Sequence, residues 1–306
     1  MSGDDRSFLA HLTRRVVLFD GGMGTMLIAA GMAKGEVPEA WVLQRADEIA
    51  KVHDAYLAAG AQVVTTATFG ANRIKLKSGG VIAELDAPTV NARAVEIART
   101  AIDRSGQGDC WIAGDIGPTG QFFPPMGRLD AAEARAAFAE QALALERAGV
   151  DLFLVETMYD LREAVEAVRG VRRVSTRPIV VTLTFEQRPR GFFTLVGDTP
   201  AKAADVLTGE GADVLGANCS LASAGMLELA RVFRAATERP LLFQPNAGQP
   251  VMESGNPTYR QTPRQFAEDV ARLVETGANA VGGCCGTTPE FIREAARLLA
   301  REATPQ

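Results

Sequence analysis

The 306 residues are 47% hydrophobic and 23% charged, with a formal net charge of −5 and a pI near 5.3. Such a chain builds a full globular core, and its acidic balance, with no basic cluster, excludes nucleic acid and anionic membrane surfaces as natural partners. Residues 1–15 carry no apolar signal core, and no apolar run is long enough to span a bilayer. Four cysteines over this length do not read as a disulfide framework, so the expected setting is cytoplasmic, with reduced thiols.

Eight short apolar runs recur along the chain, each followed by helical periodicity. The first is expected at 15–20, then Gly21 and Gly22, a helical stretch over 25–30 and a longer helix over 45–59. The second strand is expected at 62–69 and the third at 111–116, with a helix over 89–104 between them. An alanine-rich helix over 130–147 follows, with Asp130 as its N-cap and Glu133 three residues on. The remaining strands are expected at 151–157, 178–185, 213–218, 241–245 and 279–282. Helices opening near Leu161, Thr199, Ala224 and Pro263 separate them, and Thr288-Pro289 opens a last one, with proline at the favoured first position.

A weak internal repeat supports this order. Ala59-Gly60-Ala61, Ala148-Gly149-Val150, Glu210-Gly211-Ala212 and Thr276-Gly277-Ala278 share one form: a helix ending in glycine, then a short turn into a strand. Glycine there suits the left-handed helix cap. Strands alternating with helices imply parallel pairing, and eight such units imply one closed (β/α)8 TIM barrel over residues 1–306. A doubly wound open sheet is the alternative, but no Gly-x-Gly-x-x-Gly turn follows the first strand.

In a barrel, active sites form at the C-terminal ends of the strands. Asp20, Thr68, Asp115, Glu156, Cys219, Asn246, Cys284 and Cys285 all fall there. The glycine- and proline-rich stretches 116–129 and 246–262 leave the same face. Adjacent cysteines in a strand point to opposite sides, so Cys284 and Cys285 can share an ion only if the backbone leaves the strand; the flanking Gly283 and Gly286 permit that. Read singly, Cys219 is a buried apolar residue and the pair is a strained vicinal disulfide. Read together, the three thiolates form a zinc site with one open position, the arrangement of a catalytic centre. Cys110, at the opposite end of strand three, reads as a core residue. His11 and His53 lie in or before helices and read as surface or core. Glu156 is a counter-charge for a substrate ammonium or else a structural ion pair. Asp20 is a helix N-cap, or part of a turn with Gly21 and Gly22 whose backbone N–H groups hold a carboxylate. Asn246 and Asn218 are weaker candidates that can serve simply to fix loops.

Several segments resemble the homocysteine S-methyltransferase family: Asp20-Gly21-Gly22-Met23-Gly24-Thr25, Gly114-Asp115-Ile116-Gly117-Pro118-Thr119-Gly120, Glu156-Thr157, Gly216-Ala217-Asn218-Cys219-Ser220, Pro245-Asn246-Ala247-Gly248, and Gly282-Gly283-Cys284-Cys285-Gly286-Thr287-Thr288-Pro289. They run in family order over nearly the whole chain. The resemblance implies a zinc-bearing barrel whose cysteines match Cys219, Cys284 and Cys285, with the homocysteine amino group near Glu156 and the Asp20 turn. The third and seventh strand ends look most like the homocysteine module of cobalamin-dependent methionine synthase. One departure is Ala67, where such modules carry Asn. The folate, cobalamin and reactivation modules have no counterpart here, so methylcobalamin is expected on a separate corrinoid protein. S-methylmethionine is the alternative donor. Betaine is the least expected, because betaine-using relatives carry Tyr after the Phe of the second-strand motif, where this chain has Gly70, and Tyr159 alone makes a poor cage. A non-catalytic thiol- or zinc-binding barrel and a dithiol redox protein are the readings from other classes.

Overall fold

The computed structural model describes residues 7–78, 85–253 and 256–302. Eight parallel strands form one sheet, Val17–Leu18, Val63–Thr65, Trp111–Ile116, Leu152–Met158, Ile179–Leu183, Val214–Ala222, Leu241–Asn246 and Ala280–Val281, referred to below as barrel strands one to eight. Strand one pairs with strand eight. Its other side meets strand two through the single bridge Phe19–Val63 and the bond from Gln62 N to Leu18 O, 2.7 Å, which closes the (β/α)8 barrel.

Side-chain alternation explains both cores. Val17, Phe19, Val63, Trp111, Ala113, Leu152, Leu154, Val180, Val214, Leu242 and Ala280 fill the barrel interior. Their neighbours, such as Leu18, Ile112, Phe153, Val181 and Phe243, pack outward against the helices. The lower mouth is plugged by the short helix Phe8–Leu12, whose Phe8 ring meets Phe19 and Trp111 edge-on at 6.1 and 5.9 Å. Two residues further up strands two, three, four, five and seven, and four further up strand six beyond Gly216, the same inward rhythm delivers polar groups to the upper end: Thr65, Asp115, Glu156, Thr182, Gln244 and Asn218. The interior is therefore apolar below and polar above, and the site follows from that change.

The expected helices are present as Ala46–Ala58, Ala87–Ser105, Ala131–Ala148, Leu161–Arg172, Pro200–Gly209, Ser223–Ala236, Pro263–Glu275 and Pro289–Glu302. Asp130 caps its helix, accepting from Ala132 N and Glu133 N. A reciprocal capping box occurs instead at Thr262 and Gln265. The expected strand at 62–69 stops at Thr65. Beyond it the Thr66 and Thr68 hydroxyls bond each other at 2.7 Å and take the N–H and C=O of Asp115, so side chains replace the sheet bonds there. The strand expected at 213–218 runs on to Ala222 and carries Cys219 inside it. The helices Phe8–Leu12, Pro38–Gln44 and Arg73–Ser78 and the hairpin Glu186–Arg188 with Gly191–Phe193 are additional to the expected elements. A second hairpin, Val251–Glu253 with Asn256–Thr258, occupies part of the stretch 246–262, of which 254–255 lie outside the described residues.

Candidate active site and metal centre

The three cysteines converge at the upper mouth: their sulfurs lie within 4.8 Å of one another, and Cys219 Sγ is 3.8 Å from Cys285 Sγ. Two different backbone devices bring them there. Strand six bulges between Asn218 and Ala222, with Cys219 at φ 58° and Ser220 at φ 57°, so the cysteine leaves the pleat and turns over the lumen. Left-handed conformations at non-glycine residues are costly and persist where surrounding contacts impose them. Strand eight ends at Val281, and the Cys284–Cys285 pair lies beyond it, as its adjacency requires. The two flanking glycines serve separate purposes. Gly286 takes φ 81°, and a Cβ there would sit on the Tyr259 ring; Gly283 has no room for a Cβ because the Thr287 side chain lies against it.

Strand seven, between the two cysteine-bearing strands, anchors the pair. Cys284 N donates to Pro245 O at 2.9 Å, and Cys285 N donates to Asn246 Oδ1 at 3.1 Å. Tyr259 lines the cavity beside the three cysteines. Held this close, the sulfurs share charge unequally. Hydrogen bonds from Cys284 and Cys285 push the Cys219 thiol down to about 3, while Cys285 is pushed up to about 12 and Cys284 rises as well. Three thiolates in one place need a cation. Tetrahedral zinc–sulfur bonds of about 2.3 Å set sulfurs about 3.8 Å apart, so the donor set and the Cys219–Cys285 spacing both fit that ion.

Beside the sulfurs opens a cavity of ≈ 460 Å³. Its lining includes the turn from Gly21 to Thr25, then Thr65, Thr66, Ala67, Phe69, Asp115, Glu156, Gln244, Tyr259 and the three cysteines, and, among the described residues, no Lys, Arg or His. Glu156 lies at a bulge in strand four, next to Thr157 at φ 59°. Asn218 Nδ2 donates to Glu156 Oε2 at 2.7 Å and to Thr157 Oγ1 at 2.7 Å, and Asn218 Oδ1 accepts from Thr157 N and Thr182 Oγ1. Asn218 thus fixes the acid to the strand that carries Cys219. Burial pushes Glu156 up to about 8, with the negative charge of Cys219 adding to the rise.

Asp20 is not an N-cap: Gly22 holds that position. Nor does Asp20 line the cavity. Its carboxylate accepts from Thr65 N and Thr65 Oγ1, both at 2.8 Å, across the seam between strands one and two, and burial pushes it up to about 7. Gly21 and Gly22 do line the cavity. Gly22 N donates to Thr287 Oγ1 at 3.0 Å, which in turn donates to Cys284 O, so the turn is tied to the cysteine loop. Asn246 supports the cysteines without lining the cavity. Gly70 also lies off it: a Cβ there would meet Glu39 Oε1 at 3.0 Å, so the space over the sulfurs does not depend on that glycine. Tyr159 meets Phe122 in a tilted contact at 5.3 Å outside the lining, where Phe69 and Tyr259 are the aromatic residues among those described. Cys110 is half-buried at the far end, its thiol pushed up to about 11. His53 is fully buried, and His11 meets Trp111 edge-on at 5.0 Å. Tyr259, Tyr56 and Thr287 were not legible as site residues. The Tyr56 hydroxyl reaches Gly22 O and Thr287 O from a helix where its spacing reads as ordinary core.

The model of the homocysteine S-methyltransferase family matches residues 17–299. Methionine synthase of Mycobacterium tuberculosis is 33% identical over 99% of this chain, and that of Mycobacterium leprae 33% over 97%. The chain spans about a quarter of the length of these relatives, 26% and 25%. Among solved structures, the metallated form of the homocysteine methyltransferase MmuM from Escherichia coli superposes with a TM-score of 0.77 at 24% identity, covering 94% of this chain and 98% of that one. That likeness is one of fold.

Proposed function

This chain belongs to the homocysteine S-methyltransferase family, and from that membership we propose that it transfers a methyl group to the sulfur of homocysteine, forming methionine. The observation that carries the reading is the convergence of Cys219, Cys284 and Cys285 beside a cavity whose charged side chains, among the described residues, are all acidic. A zinc ion held by those three cysteines would supply a Lewis acid that favours the deprotonated form of an incoming thiol.

The rest is the work of the chain itself. Glu156, held by Asn218, faces the substrate ammonium. The turn from Gly21 through Thr25 opens the helix Met23–Ala29 and supplies backbone N–H groups toward the substrate carboxylate. With both ends of the amino acid seated, its sulfur is directed at the cysteine cluster. The sulfur then forms its bond to the methyl carbon as the bond from that carbon to the donor breaks.

For the donor we favour a methylated corrinoid protein, methylcobalamin being carried on a separate chain or module; the identity to methionine synthases supports this. S-methylmethionine is the second reading. Betaine is disfavoured because, among the described residues, the cavity lining holds two aromatic side chains, Phe69 and Tyr259, too few to enclose a quaternary ammonium. The test is methionine formation by zinc-loaded protein with homocysteine and each donor in turn. Turnover with methylcobalamin, free or protein-borne, and none with betaine is the expected result. Turnover with S-methylmethionine alone would replace the donor and leave the acceptor chemistry standing. No methionine from any donor would favour a thiol-binding barrel without catalysis.

A further inference from the structure

We propose that Thr287 is a positioning residue of the metal centre, its hydroxyl setting the turn that aims Cys284 and Cys285 at one ion, with Tyr56 holding that threonine in place. This rests on the zinc reading above. Neighbouring side chains diverge in a strand, so the cysteine pair needs a turn. Residues 284–287 form it: Thr287 N donates to Cys284 O at 3.2 Å, and the third position is Gly286 at φ 81°. The fully buried Thr287 hydroxyl closes the same turn a second time, donating to Cys284 O at 2.7 Å, and accepts from Gly22 N at 3.0 Å. The peptide joining the two cysteines is thereby held at both of its polar groups. Its oxygen accepts from Thr287, and its N–H, that of Cys285, donates to Asn246 Oδ1. Fixing that peptide fixes the directions of the two Cβ atoms beside it. Without the hydroxyl, the longer bond from Thr287 N alone would hold the oxygen.

The glycines of the site leave room for this arrangement. A Cβ at Gly21 would lie 2.7 Å from Thr287 Oγ1 and 2.9 Å from the Tyr56 ring, one at Gly22 would lie 2.7 Å from Cys284 O, and one at Gly283 would overlap the Thr287 side chain. The glycines after strands one and eight thus admit a threonine and a tyrosine between them. Tyr56 arrives fully buried from the helix Ala46–Ala58, and its hydroxyl lies 3.1 Å from Thr287 O and 3.3 Å from Gly22 O. A phenol has one proton to donate, so the two carbonyls share it. That sharing pins Thr287 to the turn after strand one, as does the bond from Gly22 N. Gly283 N to Asp20 O, 2.9 Å, and Gly286 N to Thr25 Oγ1, 2.9 Å, bind the same two segments on either side.

Zinc affinity of the purified chain, measured by competition with a chelator, tests this. The visible spectrum of the cobalt(II)-loaded protein gives a second readout, of ligand geometry and independent of activity. Wild type that takes up neither metal would overturn the zinc reading itself, a failure distinct from that of Thr287. Thr287→Val keeps the shape and loses the hydroxyl. It should weaken zinc roughly ten- to a hundredfold, the usual cost of losing a group that orients a metal ligand, and should shift the cobalt bands. Thr287→Ser, which keeps the hydroxyl, should return both readouts toward wild type. Wild-type affinity and spectrum in Thr287→Val, or equal losses in the valine and serine variants, would overturn the positioning role. Tyr56→Phe removes a single oxygen and decides the matter where the buried valine does not fold. It should weaken zinc and shift the cobalt bands in the same direction, and an unchanged affinity and spectrum there would overturn the proposal.

Discussion

At the scale of the residue, the cysteines divide into three that act together and one that does not. Cys219→Ser, Cys284→Ser and Cys285→Ser should each lower zinc content well below about one per chain, since a hydroxyl replaces a soft thiolate ligand. Cys110→Ser should retain its metal, because that thiol lies at the opposite end of the barrel with Gln107 as its partner. Elemental analysis of the purified variants settles it, and full zinc in the Cys284 and Cys285 variants would remove the site. Glu156→Gln belongs to the same scale. Substitution leaves Asn218 with an acceptor and removes a charge, so homocysteine binding should fall by about one to two orders of magnitude while a thiol lacking the amino group is spared. Equal loss for both would assign Glu156 to holding strands four and six together. The cysteines and Glu156 were readable in the sequence because their chemistry is unusual for their positions. An acid before Gly-Gly looks like a cap, whereas Gly22 holds that position, and so the cap reading failed for Asp20. Only the folded seam shows that Thr65 takes both of its oxygens.

At the scale of the element, two positions make the argument. Gly286 occupies a left-handed turn with Tyr259 packed where a side chain would begin. Gly286→Ala should destabilise the fold by at least about 1 kcal/mol from backbone strain alone, and should also loosen zinc by displacing Tyr259. An unchanged melting temperature together with unchanged zinc affinity would contradict that packing. His53, in the helix Ala46–Ala58, is fully buried with both ring nitrogens unpartnered, and burial pushes it down to about 4 from an ordinary value of 6.5. Between those values the unfolded chain binds a proton that the folded chain refuses. Stability contributed at neutral pH is therefore lost as pH falls from about 6.5 toward 4, by up to ~3 kcal/mol for this group. Asp20 acts with the opposite sign over an overlapping range, since its folded value is raised. The measurement is thus a difference: His53→Phe should have a shallower fall of melting temperature than wild type between pH 7 and 5. Parallel curves would show that His53 does not titrate against the fold. Helix positions were the most legible part of the sequence, because caps and glycine stops mark them. Strand two and the hairpins were not. A run of threonines has strand propensity, and nothing local reveals that Thr66 and Thr68 turn their hydroxyls to a neighbouring strand.

At the scale of the molecule, barrel closure was legible from the count of eight repeating units, whereas its thinness at one seam was not. Strand one has two residues, and among the described residues a single bridge, the bonds from Gln62 N to Leu18 O and from Asp20 N to Val63 O, the bond from Leu18 N to Gln62 Oε1 and the Asp20–Thr65 pair hold it to strand two. Across the sheet, Cys219 and Cys285 stand on either side of strand seven and 66 residues apart in sequence. An ion bound to both therefore ties the chain into a loop. In polymer terms, such a tie removes conformations from the unfolded ensemble, and for a loop of this length the effect is about 4 kcal/mol by the chain-entropy relation used for covalent cross-links. Chelation should then do more than silence the site. The segment between the tied points should exchange its amide hydrogens faster than strands three to five once zinc is withdrawn, and uniform acceleration along the chain would argue against such a tether. The cluster that would hold a substrate's sulfur would thus also be the knot that keeps the last quarter of the barrel from unravelling first.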